Sequence, residues 1–298
     1  MSYVFLGCAT TSILAVLVIC LFLFISGVPA MFKVGLGDFL VATDWSPSNI
    51  PPSFGILPMI LGSIMISLGA VLIGVPIGIL TAVYLAKFCP APIYRLIKPM
   101  IELLAGIPSI VYGFFGMVVL VPFIREEIGP FWSRVTIWLN SFIPFIKPES
   151  AGNGNSILTA CILLGIMILP TIITLSETAL RAVPEHYFEG ALALGATTER
   201  SIFSVMIPAA KSGIMASIIL GIGRAIGETM AVIMVAGNQP RMPVGILKGI
   251  RTLTANIVIE MGYSAGLHRE MLIATGVVLF VFILLINVGF HILKRRMK

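Results

Sequence analysis

The segment Glu189-Gly190-Ala191-Leu192-Ala193-Leu194-Gly195, which runs on to Val205-Met206-Ile207-Pro208, lies between two strongly apolar stretches of the chain. From Phe188 onward its apolar side chains recur at the i, i+3, i+4 spacing of a short amphipathic helix. Gly195 follows the last periodic residue, where a left-handed C-terminal cap favours a residue without Cβ. A connection that only joined two apolar stretches would not need such a helix, so the segment is predicted to be a docking element.

A second short helix is predicted directly after this glycine. Thr197 or Thr198 can cap its N-terminus, and the helix is expected to end before Pro208. Pro184 suits the first turn of the preceding helix, because its missing N–H would have no partner there. The whole connection, residues 181–211, is therefore interpreted as two capped helices around a glycine hinge.

The composition indicates an integral membrane protein. Of the 298 residues, 58% are hydrophobic and 11% are charged, and the mean hydropathy is +1.07. A soluble domain carries roughly 25% charged residues. The net charge of +6 is accordingly interpreted as membrane topology and attraction to anionic lipid or substrate, and no nucleic-acid partner is expected.

Six stretches are long and apolar enough to cross a membrane, since a helix needs about 20 apolar residues for one crossing. We predict spans at Val4–Ile25, Ile56–Ala86, Ile101–Ile124, Ile157–Leu180, Gly213–Ala236 and Met271–Leu293. The first has no basic flank before its apolar run and is interpreted as a retained span. The expected fold class is all-α, with residues 1–55 forming a first helix and outer loop and residues 56–298 a five-helix core.

The basic tail Lys294-Arg295-Arg296-Met297-Lys298 is expected on the cytoplasmic side, and six spans then place both termini there. The connection 181–211 falls on the same side. Three connections rich in glycine, proline and aromatic residues fall outside: Pro29–Phe54, Arg125–Ser156 and Gly237–His268. Their tryptophans, Trp45, Trp132 and Trp138, are expected to be interfacial anchors.

The fifth predicted span carries two charges, Arg224 and Glu228, four residues apart and hence on one face of a continuous helix. Gly223 and Gly227 form a small-residue edge beside them, which allows close packing of another helix. One interpretation is an intrahelical pair that only neutralises itself. The other is that Arg224 lines a translocation path and offers its guanidinium fork to an anion, while Glu228 holds Arg224 or accepts a hydrogen bond from a protonated oxyanion.

The remaining candidates for chemistry are weak. The chain has no Gly-Lys pair, hence no phosphate-binding loop, and it lacks the HExxH pattern. Its four scattered cysteines form neither a disulfide framework nor a zinc pattern. Glu102 and Glu177 are expected at the membrane interface and outside the site. We therefore expect no catalysis, no metal and no cofactor bound by this chain.

The segment quoted first resembles the cytoplasmic EAA loop of bacterial ABC-importer permeases, E-A-A-x-x-x-G followed by I-x-L-P. Glu189, Ala191, Gly195 and Pro208 match it, together with Ile207, whereas Gly190 and Val205 depart from it. These matching residues are the expected contacts to an ATPase.

Two further motifs are similar to those of phosphate-specific ABC-importer permeases. The run Glu102-Leu103-Leu104-Ala105-Gly106-Ile107-Pro108-Ser109-Ile110-Val111-Tyr112-Gly113 resembles their E-L-L-A-x-I-P-S-I-V-Y-G. The run Gly223-Arg224-Ala225-Ile226-Gly227-Glu228-Thr229-Met230-Ala231 resembles the G-R-A-x-G-E-T-M-A of the PstC branch. Arg224 and Glu228 correspond to the intramembrane arginine and glutamate of that family.

The resemblance implies a permease subunit of an ATP-driven phosphate importer in a bacterial or archaeal inner membrane. It implies a second permease (PstA-like), a pair of ATPase subunits (PstB-like) that use ATP and magnesium, and an extracytoplasmic phosphate-binding protein (PstS-like). Two alternatives remain open at this point. One is a permease for another oxyanion, such as molybdate or sulfate. The other is an ATP-independent secondary carrier, which would leave the EAA-like segment unexplained.

Overall fold

The computed structural model describes residues 2–142 and 152–296. Six helical spans in it are long and apolar enough to cross a membrane, as the sequence predicts: Tyr3–Val34, Leu57–Phe88, Ser109–Trp138, Ile157–Arg181, Thr198–Gly227 and Gly266–Gly289. They are called the first to sixth spans below. The all-α, multi-pass fold class is thus confirmed.

The helices in chain order are α1 (Ser2–Val34), α2 (Leu36–Val41), α3 (Leu57–Val83), α4 (Ala91–Gly106), α5 (Ser109–Phe115), α6 (Val121–Phe123), α7 (Gly129–Phe142), α8 (Ile157–Arg181), α9 (Glu185–Ala193), α10 (Thr198–Ser201), α11 (Ile207–Gly227), α12 (Met230–Val235), α13 (Leu253–Met261) and α14 (Gly266–Arg296). Wider π turns cover Tyr84–Phe88, Gly116–Leu120, Ile124–Ile128 and Ile202–Met206. Two short antiparallel strands, β1 (Trp45–Ser46) and β2 (Ser53–Phe54), pair in the connection between the first and second spans.

The fourth span is the centre of the bundle. It packs most extensively on α3 and α11, and its leucine and isoleucine side chains form the main buried cluster. Close approach to α3 depends on Gly74, where an added Cβ would lie 2.7 Å from Ile168 and 2.9 Å from the Gly165 carbonyl oxygen. The first and sixth spans pair with each other at the periphery, where Phe24 and Phe280 meet edge to face.

The third span begins later than predicted. Residues 101–106 belong to α4, a separate amphipathic helix, and the span itself starts at Ser109. The boundary lies at Ile107, which is extended (φ −68°, ψ 128°) because a residue before proline is driven out of the helical region.

The predicted outer loops contain regular structure. α2 and the strand pair lie within 29–54, α7 within the described part of 125–156, and α13 within 237–268. The anchor prediction is wrong for Trp45, which is 4% exposed and donates its indole N–H to Glu260 across 2.9 Å. The buried indole therefore attaches the connection between the first and second spans to α13, and it is not placed to contact lipid.

Candidate translocation path and coupling segment

The fifth predicted span is not one continuous helix. α11 ends at Gly227, Glu228 is extended (φ −70°, ψ 131°), and α12 begins at Met230. We call residues 228–229 the break. Irregular backbone at membrane depth is tolerated only where protein buries it or where it lines a water-filled path.

Glu228 is held at the break by two hydrogen bonds. Its carboxylate accepts from the Ala231 backbone N–H at 3.2 Å, satisfying one of the free donors at the start of α12. Its backbone carbonyl accepts from the Thr254 hydroxyl at 3.2 Å. In this conformation Glu228 therefore acts as a cap for the helix that follows.

Arg224 lies half-buried in the last turn of α11, where the negative end of the helix dipole favours a cation. Within residues 2–142 and 152–296 it makes no ion pair and no side-chain hydrogen bond. The prediction that Arg224 and Glu228 share one helical face is wrong, because α11 ends between the two residues. The self-neutralising pair is therefore not formed, and the guanidinium donors stay unoccupied by described residues.

The surroundings of Arg224 are open on one side. Tyr112 of the third span lies close enough to interact with it electrostatically, and Tyr112 itself donates to the Leu104 carbonyl at 2.8 Å. Apart from the chain neighbours and the nearby backbone of the same helix, no described atom lies within 4 Å of a Cβ added to Gly223 or Gly227. The small-residue edge is thus left uncovered by the described part of this chain.

The connection between the fourth and fifth spans, residues 182–197, forms the protruding element that the sequence predicts; we call it the coupling segment. α9 has no fully buried residue, and Leu194 at its end is 92% exposed. Of the residues expected to contact an ATPase, Glu189 and Gly195 are exposed and Ala191 is half-buried, while Pro208 lies exposed in the helix beyond the segment. Exposed apolar side chains on a polar end of the protein suit a docking surface.

The end of α9 is capped as predicted. Gly195 has φ +84°, its N–H bonds the Leu192 carbonyl at 2.9 Å, and the Ala196 N–H bonds the Ala191 carbonyl at 3.1 Å. This pair of bonds is the Schellman arrangement. At the other end of α9, Lys87 of the second span pairs with Glu185 at 2.8 Å and lies over the Phe188 ring.

The second helix of the connection does not stop before Pro208. Thr197 caps it by accepting from the Arg200 N–H at 3.3 Å, and the helix then continues through Gly227. A π turn at Ile202–Met206 ends two residues before Pro208, and this local change of hydrogen-bond register allows the continuous helix to include a residue without an N–H.

Glu177, which the sequence predicts at the membrane interface, is buried among side chains of the protein itself. It is 2% exposed and accepts from Tyr94 at 2.8 Å, Lys98 at 2.9 Å and Arg181 at 2.8 Å. Arg181 also donates to the Leu85 carbonyl at 2.8 Å, so the cluster joins α4 to the C-terminal ends of the second and fourth spans. Tyr94 and Lys98 lie one helical turn apart on α4, a spacing that could have pointed to a shared partner.

With this geometry in place, comparison with known proteins identifies the family. The model for the binding-protein-dependent transport system inner membrane component matches residues 74–298. The chain belongs to this family. It is a membrane transport subunit, and its fold is that of ABC-importer permeases.

Two relatives cover nearly the whole chain. A probable ABC transporter permease protein, YqgH, from Bacillus subtilis is 36% identical over 94% of this chain and 87% of its own length. The phosphate transport system permease protein PstC from Mesorhizobium japonicum is 38% identical over 93% of this chain and 86% of its own length.

Solved structures agree on the fold. An inward-facing MetNI methionine ABC transporter gives a TM-score of 0.59 at 18% identity, covering 82% of this chain and 96% of that one. A bacterial ABC transporter involved in alginate import gives 0.53 at 17% identity, covering 81% and 79%. At these identities the likeness concerns the fold alone.

Proposed function

We propose that this chain is one permease subunit of an ATP-driven importer of inorganic phosphate. The proposal rests on the position of Arg224. This cation lies at membrane depth beside the end of its own helix, and it has no partner among the described residues. An arginine there costs about 2.5–3.5 kcal/mol even on insertion scales, so an uncompensated one points to a ligand or an aqueous path. The planar guanidinium matches the oxygens of a phosphate.

The relatives support phosphate as the cargo. Several of them are named phosphate transport system permease protein PstC, and they are 33–38% identical to this chain over most of its length. Arg224 alone would suit any tetrahedral oxyanion, so the choice of phosphate over molybdate or sulfate rests on these names. Competition of labelled phosphate uptake by molybdate and sulfate decides between them: inhibition at equimolar concentration would contradict phosphate specificity.

The proposed assembly has four kinds of subunit. A second, PstA-like permease would cover the open edge at Gly223 and Gly227, and a PstB-like ATPase pair would receive α9. A PstS-like binding protein would deliver phosphate at the opposite end. We place both termini and the coupling segment in the cytoplasm, where ATP is available to the ATPase pair.

In the proposed mechanism, ATP binding closes the two ATPase subunits and moves α9 with them. The Schellman cap at Gly195 and the capped start at Thr197 hold α9 to the fifth span, so the motion reaches the helix that carries Arg224. Reorientation of the spans then exposes Arg224 alternately to the two sides of the membrane.

The decisive test is Arg224→Gln in the complete transporter reconstituted in proteoliposomes. Phosphate uptake should be lost while the complex still assembles, as judged by co-purification of the ATPase. Arg95→Gln, which removes an exposed cation from α4, serves as the matched control and should transport normally. Normal uptake by Arg224→Gln would end the proposed role of this residue.

A further inference from the structure

A second polar cavity lies at the end of the molecule opposite to the coupling segment. It has a volume of about 500 Å³ and is formed by the stretch before α8 and the stretch between α12 and α13. Two cations, Arg241 and Lys248, and three amide side chains, Asn153, Asn155 and Gln239, line it. The two cations and the amide N–H groups are hydrogen-bond donors, which suits the cavity to an anion.

The floor of the cavity is built from three backbone segments in direct contact. The Ser156 N–H bonds the Val235 carbonyl at 3.1 Å, and the Ile250 N–H bonds the Ala236 carbonyl at 2.9 Å. Gly237 and Gly249 allow this crossing, because a Cβ on Gly237 would lie 3.1 Å from the Gly249 Cα. The cavity is thus preformed by main-chain contacts instead of by mobile side chains.

The wall that carries the cations is also fixed. Asn238, in the left-handed region at φ +53°, donates to the Ile233 carbonyl at 2.7 Å and so closes the end of α12. Its own carbonyl accepts from the Arg251 guanidinium at 3.0 Å. These two bonds fix the start of the stretch that carries the cations, at Asn238.

A short helix connects the cavity to the break. α12 begins directly after Thr229 and ends two residues before Gly237, and its six residues span about 9 Å. An anion in the cavity is therefore about one short helix away from the break beside Arg224. The two cationic sites lie in succession along one direction through the protein.

The chemistry of the lining selects a protonated oxyanion. The guanidinium of Arg241 offers paired N–H donors to anionic oxygens. The side-chain oxygen of Asn155 is buried and has no hydrogen-bond partner among the described residues, so it can accept from a hydroxyl of the ligand. Hydrogen phosphate presents both kinds of oxygen at once.

We infer that this cavity is an external oxyanion site, which receives hydrogen phosphate at the outer face before it reaches Arg224. The inference rests on the proposed import of phosphate for its ligand and direction. The cavity holds the anion after release from the binding protein, and Arg241 and Lys248 keep it from returning to solution while the path is closed.

Occupancy can be tested directly by protection of a thiol. In the assembled complex, Gln239→Cys is labelled with an anionic methanethiosulfonate reagent, and labelling is measured by mass spectrometry of that peptide so that native cysteines do not interfere. Millimolar inorganic phosphate should slow labelling at least threefold relative to chloride at equal ionic strength, and Arg241→Gln with Lys248→Gln should remove the protection. Equal protection by phosphate and chloride would overturn the inference.

Transport kinetics separate a ligand site from a docking surface. With binding protein at saturation, the double variant Arg241→Gln/Lys248→Gln should lower the maximal uptake rate about tenfold, equivalent to about 1.4 kcal/mol. The half-saturating concentration of binding protein should stay unchanged, and the exposed-cation control Arg269→Gln should behave as wild type. A raised half-saturating concentration with a normal maximal rate would assign the cations to docking and overturn the site.

The same measurements distinguish failure of this inference from failure of the proposed function. In a variant that carries both Arg224→Gln and Gln239→Cys, phosphate should still protect the thiol, because Arg224 and Gln239 lie at opposite ends of α12. Normal uptake by Arg224→Gln with intact protection would refute the path role and leave the external site standing. If Arg224→Gln abolishes uptake but phosphate does not protect the Gln239→Cys thiol, the external site is refuted and the path role of Arg224 stands.

Discussion

Thr254 donates its hydroxyl to the backbone carbonyl of Glu228 across 3.2 Å, and this bond joins α13 to the break in the fifth span. α13 is in turn fixed at its other end by Glu260, which binds Arg251, Trp45 and His268. The geometry of the break thus depends on α13 and its contacts as well as on the fifth span itself.

Thr254→Val should loosen this connection. The Glu228 carbonyl would lose its partner at a partly buried site, lowering the free energy of unfolding by about 0.5–1.5 kcal/mol. The control is Thr275→Val, which removes a buried hydroxyl that bonds only the Met271 carbonyl of its own helix. Denaturant unfolding in detergent measures both, and an equal loss in the two variants would contradict a specific role for the bond to Glu228.

The capping role of Glu228 predicts different stabilities for two substitutions. Glu228→Gln keeps a side-chain oxygen for the Ala231 N–H and should unfold like wild type, whereas Glu228→Ala should be less stable by about 1 kcal/mol. If glutamine destabilises as much as alanine, the negative charge matters more than the cap. Thermal unfolding of the two variants side by side is sufficient.

Gly195 combines a left-handed backbone with free space around its Cα. Gly195→Ala should therefore only destabilise the coupling segment, by about 1 kcal/mol. Gly195→Arg adds a large side chain to the proposed docking face and should leave the protein inserted but fail to couple ATP hydrolysis to uptake. The matched control is Gly190→Ala, a helical position with equally free space; phosphate-stimulated ATPase turnover at the wild-type level in Gly195→Arg would count against docking.

The cluster around Glu177 should contribute to stability. Glu177→Gln leaves Lys98 and Arg181 without their buried anion, and because Arg181 is about half exposed we expect a loss of about 1–3 kcal/mol. Tyr94→Phe removes one hydrogen bond and should cost about 1 kcal/mol. Chemical unfolding of both variants checks the order, and a larger loss for Tyr94→Phe would contradict the assignment of Glu177 as the centre.

The Tyr94 phenol should also lose its proton at a higher pH than an ordinary tyrosine, because its pKa is raised. Its hydrogen bond to the Glu177 carboxylate raises the pKa of Tyr94 above its ordinary value of about 10. The neutral phenol therefore contributes stability at all pH values below the ordinary pKa, and this contribution is lost as the pH rises through the raised pKa. The phenolate absorbance of wild type minus that of Tyr94→Phe isolates this tyrosine and should give a midpoint above the ordinary pKa; a midpoint near 10 would contradict the bond.

Much of the architecture could be predicted from hydropathy and from local signals for helix ends. The six spans, the helix at Glu185 and the left-handed Gly195 follow from patterns that act over a few residues. The start of the third span and the continuation of the helix through Pro208 could not be predicted in this way. A proline in the sequence does not show whether the helix will end there or will continue through a π turn that rearranges its backbone hydrogen bonds.

The sequence predicts Arg224 and Glu228 as the candidate residues of the path, and the geometry that it predicts for them is wrong. The spacing of Arg224 and Glu228 is helical only if the helix continues, and the bond from Ala231 to the Glu228 carboxylate competes with that continuation. Glu177 and Glu260 were missed as centres because several of their partners are distant in sequence, at separations of 79 residues for Lys98 and 215 for Trp45. Local spacing carries no information about such contacts. The exception is Arg181, which lies four residues from Glu177 on the same helix.

The uninterrupted helix from Thr198 to Gly227 has a mechanical consequence. Arg224 stands about 40 Å along this rod from its capped start. A pivot of about 4° at Thr197 would therefore displace the guanidinium by about 3 Å, which is the length of one hydrogen bond. A lever of this reach converts a small rocking of an attached ATPase into the making or breaking of contact with an anion, without any change in the fold of the helix itself.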